Sequence, residues 1–154
     1  TQSILHHIKY EGNTDLAESV GTWFGNNLRK EGFCDQFDLI LPVPLHEKKL
    51  KKRGYNQSEL ITRGMLSPMK SVTDNGFLIR TVNNPTQTHK NRIERVNNVS
   101  NIFKVNHDKY DQGIRILLVD DVVTTGATLE SCAKALYDAG YENISFAAVA
   151  FARK

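Results

Sequence analysis

Two adjacent carboxylates, Asp120 and Asp121, follow the apolar run Ile116-Leu117-Leu118-Val119 and precede the small, hydroxyl-rich stretch Thr124-Thr125-Gly126-Ala127-Thr128. Beyond that stretch, Leu129, Cys132, Ala133, Leu136 and Tyr137 recur at helical spacing, and Gly140 follows as a left-handed C-terminal cap. The order is therefore buried strand, acids, loop, helix. A loop at a helix N-terminus offers unpaired backbone N–H groups, hydroxyl donors and the positive end of the helix dipole, which together suit a phosphate dianion. Gly126 lets the backbone approach that anion closely. Like charge keeps Asp120 and Asp121 off the phosphate, but one loop length away they can accept hydrogen bonds from ribose hydroxyls or hold Mg²⁺ through water. A sugar phosphate is the ligand this spacing predicts. No G-x-x-x-x-G-K-[ST] occurs and no G-x-G-x-x-G follows a strand, so a P-loop and a dinucleotide site have no support.

The elements that must position these groups are readable from periodicity. Asp15 to Lys30 carries Leu16, Val20, Trp23, Phe24 and Leu28 at helical spacing, with Thr14 as N-cap and Gly32 beyond the end. Gly21 and Gly25, four apart, either allow close packing or are tolerated breaks. Asp38 to Leu41 reads as a short strand cut off by Pro42-Val43-Pro44, where a rigid loop begins. Gln57 to Leu66 reads as a helix capped by Asn56 or Ser58, and Phe77–Thr81, Asn101–Val105 and Ile144–Ala150 as strands. From Val82 to Ser100 the chain is polar and aperiodic, which marks either a functional lid or disorder. Alternating strands and helices predict an α/β fold with a mainly parallel central sheet flanked by helices. Its ligand crevice should open at the carboxyl ends of the strands.

With 154 residues, 40% hydrophobic and 24% charged, the chain reads as a single domain spanning 1–154. A net charge of +3 favours phosphorylated ligands and falls short of a dedicated nucleic-acid binder. Cys34 and Cys132 are the only cysteines, and Cys132, on the apolar face of its helix, reads as a small buried hydrophobe rather than a disulfide or metal partner, as in a reducing cytoplasm. No apolar run reaches membrane-spanning length, and the start lacks the pattern of a signal peptide. The absence of an initiator Met suggests a piece of a longer product or a trimmed chain. The basic run Lys48, Lys49, Lys51, Lys52 and Arg53 is compatible with solvated surface, with capture of phosphates or with nucleic-acid contact. Oligomeric state is left open.

The segment from Ile116 to Thr128 resembles the phosphoribosyl-pyrophosphate (PRPP) motif of type I phosphoribosyltransferases. Pro42-Val43-Pro44-Leu45, then Arg53-Gly54-Tyr55-Asn56-Gln57, Thr86-Gln87-Thr88 and the PRPP motif follow one another as in the ComF/GntX family, over nearly the whole chain. The Cys-rich zinc module that commonly opens members of that family is missing, and His6-His7 alone is a poor metal set.

The resemblance implies a type I phosphoribosyltransferase-like fold and transfer of 5-phosphoribosyl from PRPP to an unidentified nitrogen acceptor, with Mg²⁺ bound through PRPP. The 5′-phosphate falls to Thr124, Thr125, Gly126, Ala127 and Thr128, and Asp120 and Asp121 are the catalytic pair. The pyrophosphate falls to Pro42, Val43, Pro44 and Arg53, with Arg80 and Arg92 as forked donors beneath a lid over 82–100. Tyr55, Asn56 and Gln57 are substrate-side candidates, although an Asn at a helix start is also what capping alone selects. The alternative is a non-catalytic PRPP sensor or an accessory of DNA uptake and competence that meets single-stranded DNA or the competence machinery.

Overall fold

The computed structural model describes residues 13–81, 102–106 and 109–152. Its elements are α1 (Thr14–Lys30), β1 (Leu39–Pro42), α2 (Glu47–Arg53), α3 (Gln57–Met69), β2 (Leu78–Arg80), β3 (Phe103–Val105), β4 (Ile116–Val123), α4 (Ala127–Asp138) and β5 (Ile144–Phe151). The central sheet runs β1-β4-β5, all parallel, with Leu39 to Pro42 set against Ile116 to Val119 and Ile116 against Ile144. Val72 adds one parallel bridge to Leu39 at the outer side of β1. The exception to the parallel expectation is an antiparallel ribbon, in which Leu78–Arg80 pairs with Phe103–Val105.

Successive strand residues face opposite sides of the sheet, so each apolar run serves two cores. Leu39, Leu41, Ile116 and Leu118 point to a cluster with Leu129, Cys132 and Leu136 of α4 and with Phe77, Phe103 and Tyr141. Ile40, Leu117 and Val119 point the other way, onto Ile61, Met65 and Met69 of α3. Phe77 stands edge-on to Tyr110 and Tyr141, at centroid distances of 5.0 and 5.2 Å. Burial of each large aliphatic side chain here is worth about 1.5–3 kcal/mol.

Helix α1 lies on α3 through small residues. Ala17, Gly21 and Gly25 are its buried positions, one per turn. A Cβ added at Gly21 would sit 2.0 Å from the Ile61 carbonyl oxygen, and one at Gly64 would sit 2.1 Å from that of Glu18. The two backbones touch directly, which settles the role of Gly21 in favour of close packing. This seam corrects the apolar face expected of α1. Leu16, Val20, Phe24 and Leu28 are half-buried along its edges, and Trp23 is 63% exposed. The cap also moves one residue, since the Asn13 side chain accepts from Leu16 N–H at 2.9 Å.

Other departures are small and local. Pro42 ends β1 as a paired residue, tolerated because it is the last in the strand and donates no hydrogen bond there. The basic run, given no secondary structure from the sequence, folds into α2, capped by the His46 ring accepting from Lys48 N–H. Helix α3 continues to Met69 with Pro68 in its last turn. Tyr137 is 62% exposed, outside the buried stripe of α4. The 82–100 segment, with Thr86-Gln87-Thr88 and Arg92, lies outside the described residues, as does His6-His7.

Candidate functional site

Strand β4 does not stop at its acids. Asp120 and Asp121 are the fifth and sixth of its eight residues; Asp120 pairs with Ala148 of β5, and β1 ends opposite Val119. The strand thus runs past Val119, where the apolar pattern ended, and the stagger exposes the β1 side of the acids to a cleft of about 180 Å³. The cleft is lined by Val43, Pro44 and Leu45 after β1, Lys49 and Arg53 of α2, the Asn56-Gln57-Ser58 turn, Arg80, both acids and Thr128.

The N-terminal turn of α3 ties these parts together. Asn56 Oδ1 accepts from Ser58 N–H at 3.2 Å, and Asn56 Nδ2 donates to the Val43 carbonyl at 3.0 Å. One side chain thus caps a helix and pins the loop after β1. Ser58 Oγ donates to Asp120 Oδ1 at 3.0 Å, and the Asp121 amide donates to the same carboxylate at 2.9 Å. Ser58 was legible in the sequence only as an alternative cap; its hydroxyl in fact orients an acid 62 residues away.

Burial of Asp120, and then the neighbouring charge of Asp121, push its pKa up to about 6, against the opposing pull of the Asp121 amide and the Ser58 hydroxyl. Asp120 therefore releases its proton at a higher pH than an ordinary aspartate does. Burial also drives the Cys132 thiol well upward, with Asp120 adding to the effect, so Cys132 behaves as an inert core residue. Arg80 stacks its guanidinium 5.5 Å above the Phe103 ring, and its Nε is buried with no hydrogen-bond partner among the described residues.

The loop after β4 turns into α4 through Gly126, whose φ of +81° is left-handed and therefore suited to glycine. The N-cap residue, Gly126, has no side chain to cap this helix. Within the loop, Ala127 N–H donates to Thr125 Oγ1 at 3.4 Å, a long contact that leaves the turn open.

Of the residues singled out by sequence, the cleft gathers Val43, Pro44, Arg53, Asn56, Gln57, Arg80, Asp120, Asp121 and Thr128. Pro42 is buried in β1 beneath it. Tyr55 packs beside Ala17 and Leu60 rather than lining the cleft. Thr124 is exposed, and Thr125 and Gly126 line a second hollow along β5, next to the cleft. Lys49, named in the sequence only as one of the basic run, shares the cleft with Arg53, one helical turn away. The i,i+4 spacing inside the basic run is the signal that would have found it.

Among the described residues no group of three or more His, Cys, Asp or Glu side chains is suited to a metal ion, and no helix is long and apolar enough to cross a membrane. A family model for the phosphoribosyl transferase domain matches residues 47–154. The competence protein ComFC of Bacillus subtilis is 29% identical over 136 residues, 88% of this chain and 53% of that protein. Competence protein F of Haemophilus influenzae is 33% identical over 108 residues, 70% of this chain and 47% of that protein. The DNA utilization protein YhgH of Salmonella typhimurium is 27% identical over 136 residues, 86% and 59% respectively. The chain thus spans about half the length of the curated relatives it matches. In fold it is similar to glutamine PRPP amidotransferase from B. subtilis, with TM-score 0.59 and 17% identity over 85% of this chain and 26% of that one.

Proposed function

The chain belongs to the phosphoribosyl transferase domain family, ComF-like among its relatives, and from that premise we propose that it binds PRPP in the β4 cleft and transfers the phosphoribosyl group to a nitrogen acceptor. The observation that carries the reading is the composition of one small cleft. Two half-buried carboxylates share it with Lys49, Arg53 and Arg80, and the hydroxyl-rich loop opens beside it. A ligand with anionic ends and a hydroxylated middle satisfies all of these groups at once.

In this reading the 5′-phosphate meets the Thr124–Thr128 loop, Asp120 and Asp121 accept from the ribose hydroxyls, and the pyrophosphate meets the Val43–Leu45 loop and the cations. The C1–O bond breaks with its electron pair passing to pyrophosphate, C1 becomes oxocarbenium-like, and the acceptor nitrogen forms the C1–N bond and sheds its proton. Negative charge at Asp120 and Asp121 favours the positive sugar, and Lys49, Arg53 and Arg80 favour the negative leaving group. Two carboxylates are too few to hold a divalent ion alone, so Mg²⁺ would be held mainly by phosphate oxygens and water, with Asp120 and Asp121 as partners through water, and would neutralise charge on the leaving group.

Calorimetric titration with PRPP and Mg²⁺ tests the binding, and it should disappear in Asp120→Asn plus Asp121→Asn. Unchanged affinity in that variant would remove the assignment. Pyrophosphate release in the presence of a panel of bases and amines separates turnover from sensing. A second reading, contact with single-stranded DNA, is favoured by Lys48 and Lys52, which are exposed and lie outside the cleft lining. It requires a steep fall of DNA affinity with salt that is lost when those two lysines are neutralised.

A further inference from the structure

Gln57 is 2% exposed, yet its Nε2 has no hydrogen-bond partner among the described residues. A buried amide donor left unpaired is costly, and Leu or Met would fill the same space without that cost. The side chain lines the cleft, where a bound ligand can supply the missing acceptor.

Its neighbours in the chain locate that partner. Asn56, one residue before, donates to the Val43 carbonyl in the loop read as the pyrophosphate cradle. Ser58, one residue after, donates to Asp120, the acid read as a ribose ligand. Gln57 lies between the two in sequence and shares their cleft. Arg80 Nε, the other unpaired buried donor of the cleft, is in the same state.

We propose that Gln57 is a pyrophosphate contact, donating from Nε2 to the diphosphate beside the bond that breaks, and is not a contact to the nitrogen acceptor. The proposal rests on the PRPP reading above. A neutral donor there gains strength as charge builds on the departing oxygen and adds no charge repelling the sugar cation. It also gives the Asn-Gln-Ser turn three separate tasks: holding a loop, meeting the leaving group and aiming an acid.

The test compares wild type with Gln57→Met, which keeps the length and removes the donor, using Mg²⁺-PRPP, Mg²⁺-pyrophosphate and ribose 5-phosphate as separate probes. Expected are a ligand-free Tm equal to or above that of wild type, a fall of about tenfold or more in affinity for PRPP and pyrophosphate, and ribose 5-phosphate affinity within about twofold. A structural role would lower the Tm and would not sort the probes. Gln57→Glu, which preserves shape and polarity but reverses the role of the group toward an anion, should weaken pyrophosphate further. Pyrophosphate affinity within about twofold of wild type in both variants overturns the assignment, as does a parallel loss of ribose 5-phosphate. Wild type binding neither PRPP nor pyrophosphate would instead overturn the parent reading, and this one with it.

Discussion

The cleft at the α3 N-terminus and the hollow along β5 both touch the loop after β4, yet they are built of opposite materials. The hollow is the larger, about 470 Å³, and is walled by Val123, Leu129, Ala133, Phe146, Ala147 and Phe151. The cleft is about 180 Å³ and is walled by charges, amides and hydroxyls. Volume alone therefore does not pick out the candidate site. An apolar trough can shelter greasy surface but cannot orient a charged sugar, whereas converging donors and acceptors fix one pose. Phe146 and Phe151, 51% and 75% exposed, also show that the β5 side of the sheet is less covered than the β1 side.

The largest expected effect would break the comparison if it appeared on the wrong side. Asp120→Asn plus Asp121→Asn should lower PRPP affinity by about a hundredfold or more, while Phe146→Ser plus Phe151→Ser should leave it within about twofold, both by calorimetry. A loss in the phenylalanine variant would move the site toward the trough.

The next effect concerns stability. The folded protein holds the Asp120 proton more tightly than the unfolded chain, with a pKa of about 6 against 3.8. Its contribution is therefore full below about 3.8 and is lost as pH rises through about 6. Asp38 runs the opposite way: held down to about 2 by Arg115, it adds stability above its ordinary value of 3.8 that is lost as pH falls through about 2. Subtracting the urea melts of Asp120→Asn from those of wild type cancels Asp38 and isolates Asp120. That difference should shift against wild type by on the order of 2 kcal/mol between acid and neutral pH. A flat difference would mean that Asp120 is well solvated.

Smaller still, Lys49→Ala should weaken PRPP several-fold in low salt and less in high salt, as expected of an exposed cation near a phosphate. Phe151→Ser should change stability by no more than about 0.5 kcal/mol in the same melts, because its ring is already mostly in water. A larger loss would show that the trough belongs to the core.

The sheet was legible because Leu39–Leu41 and Ile116–Val119 are unbroken apolar runs and α4 has a clean period. The acids and the hydroxyl loop were legible because their residue types are rare in that order. What stayed hidden depends on pairs distant in sequence. Nothing in Asn56 or Ser58 alone announces Val43 or Asp120 as a partner, since a cap and a tether select the same side chains. The length of β4 was hidden too, because carboxylates read as a turn until β5 is known to pair alongside them. Trp23 misled because hydrophobicity marked the wrong stripe of α1, where glycine rather than bulk makes the contact.

That glycine contact has a mechanical consequence. With Gly21 set against the Ile61 backbone and Gly64 against that of Glu18 and Thr22, sliding or rolling α3 on α1 would drive backbone atoms together. Its first turn, which grips the Val43 loop and Asp120 together, therefore keeps its station before any ligand arrives. The ordering entropy of the cleft is met when the chain folds rather than at each encounter, a form of preorganisation maintained by two residues that have no side chain at all.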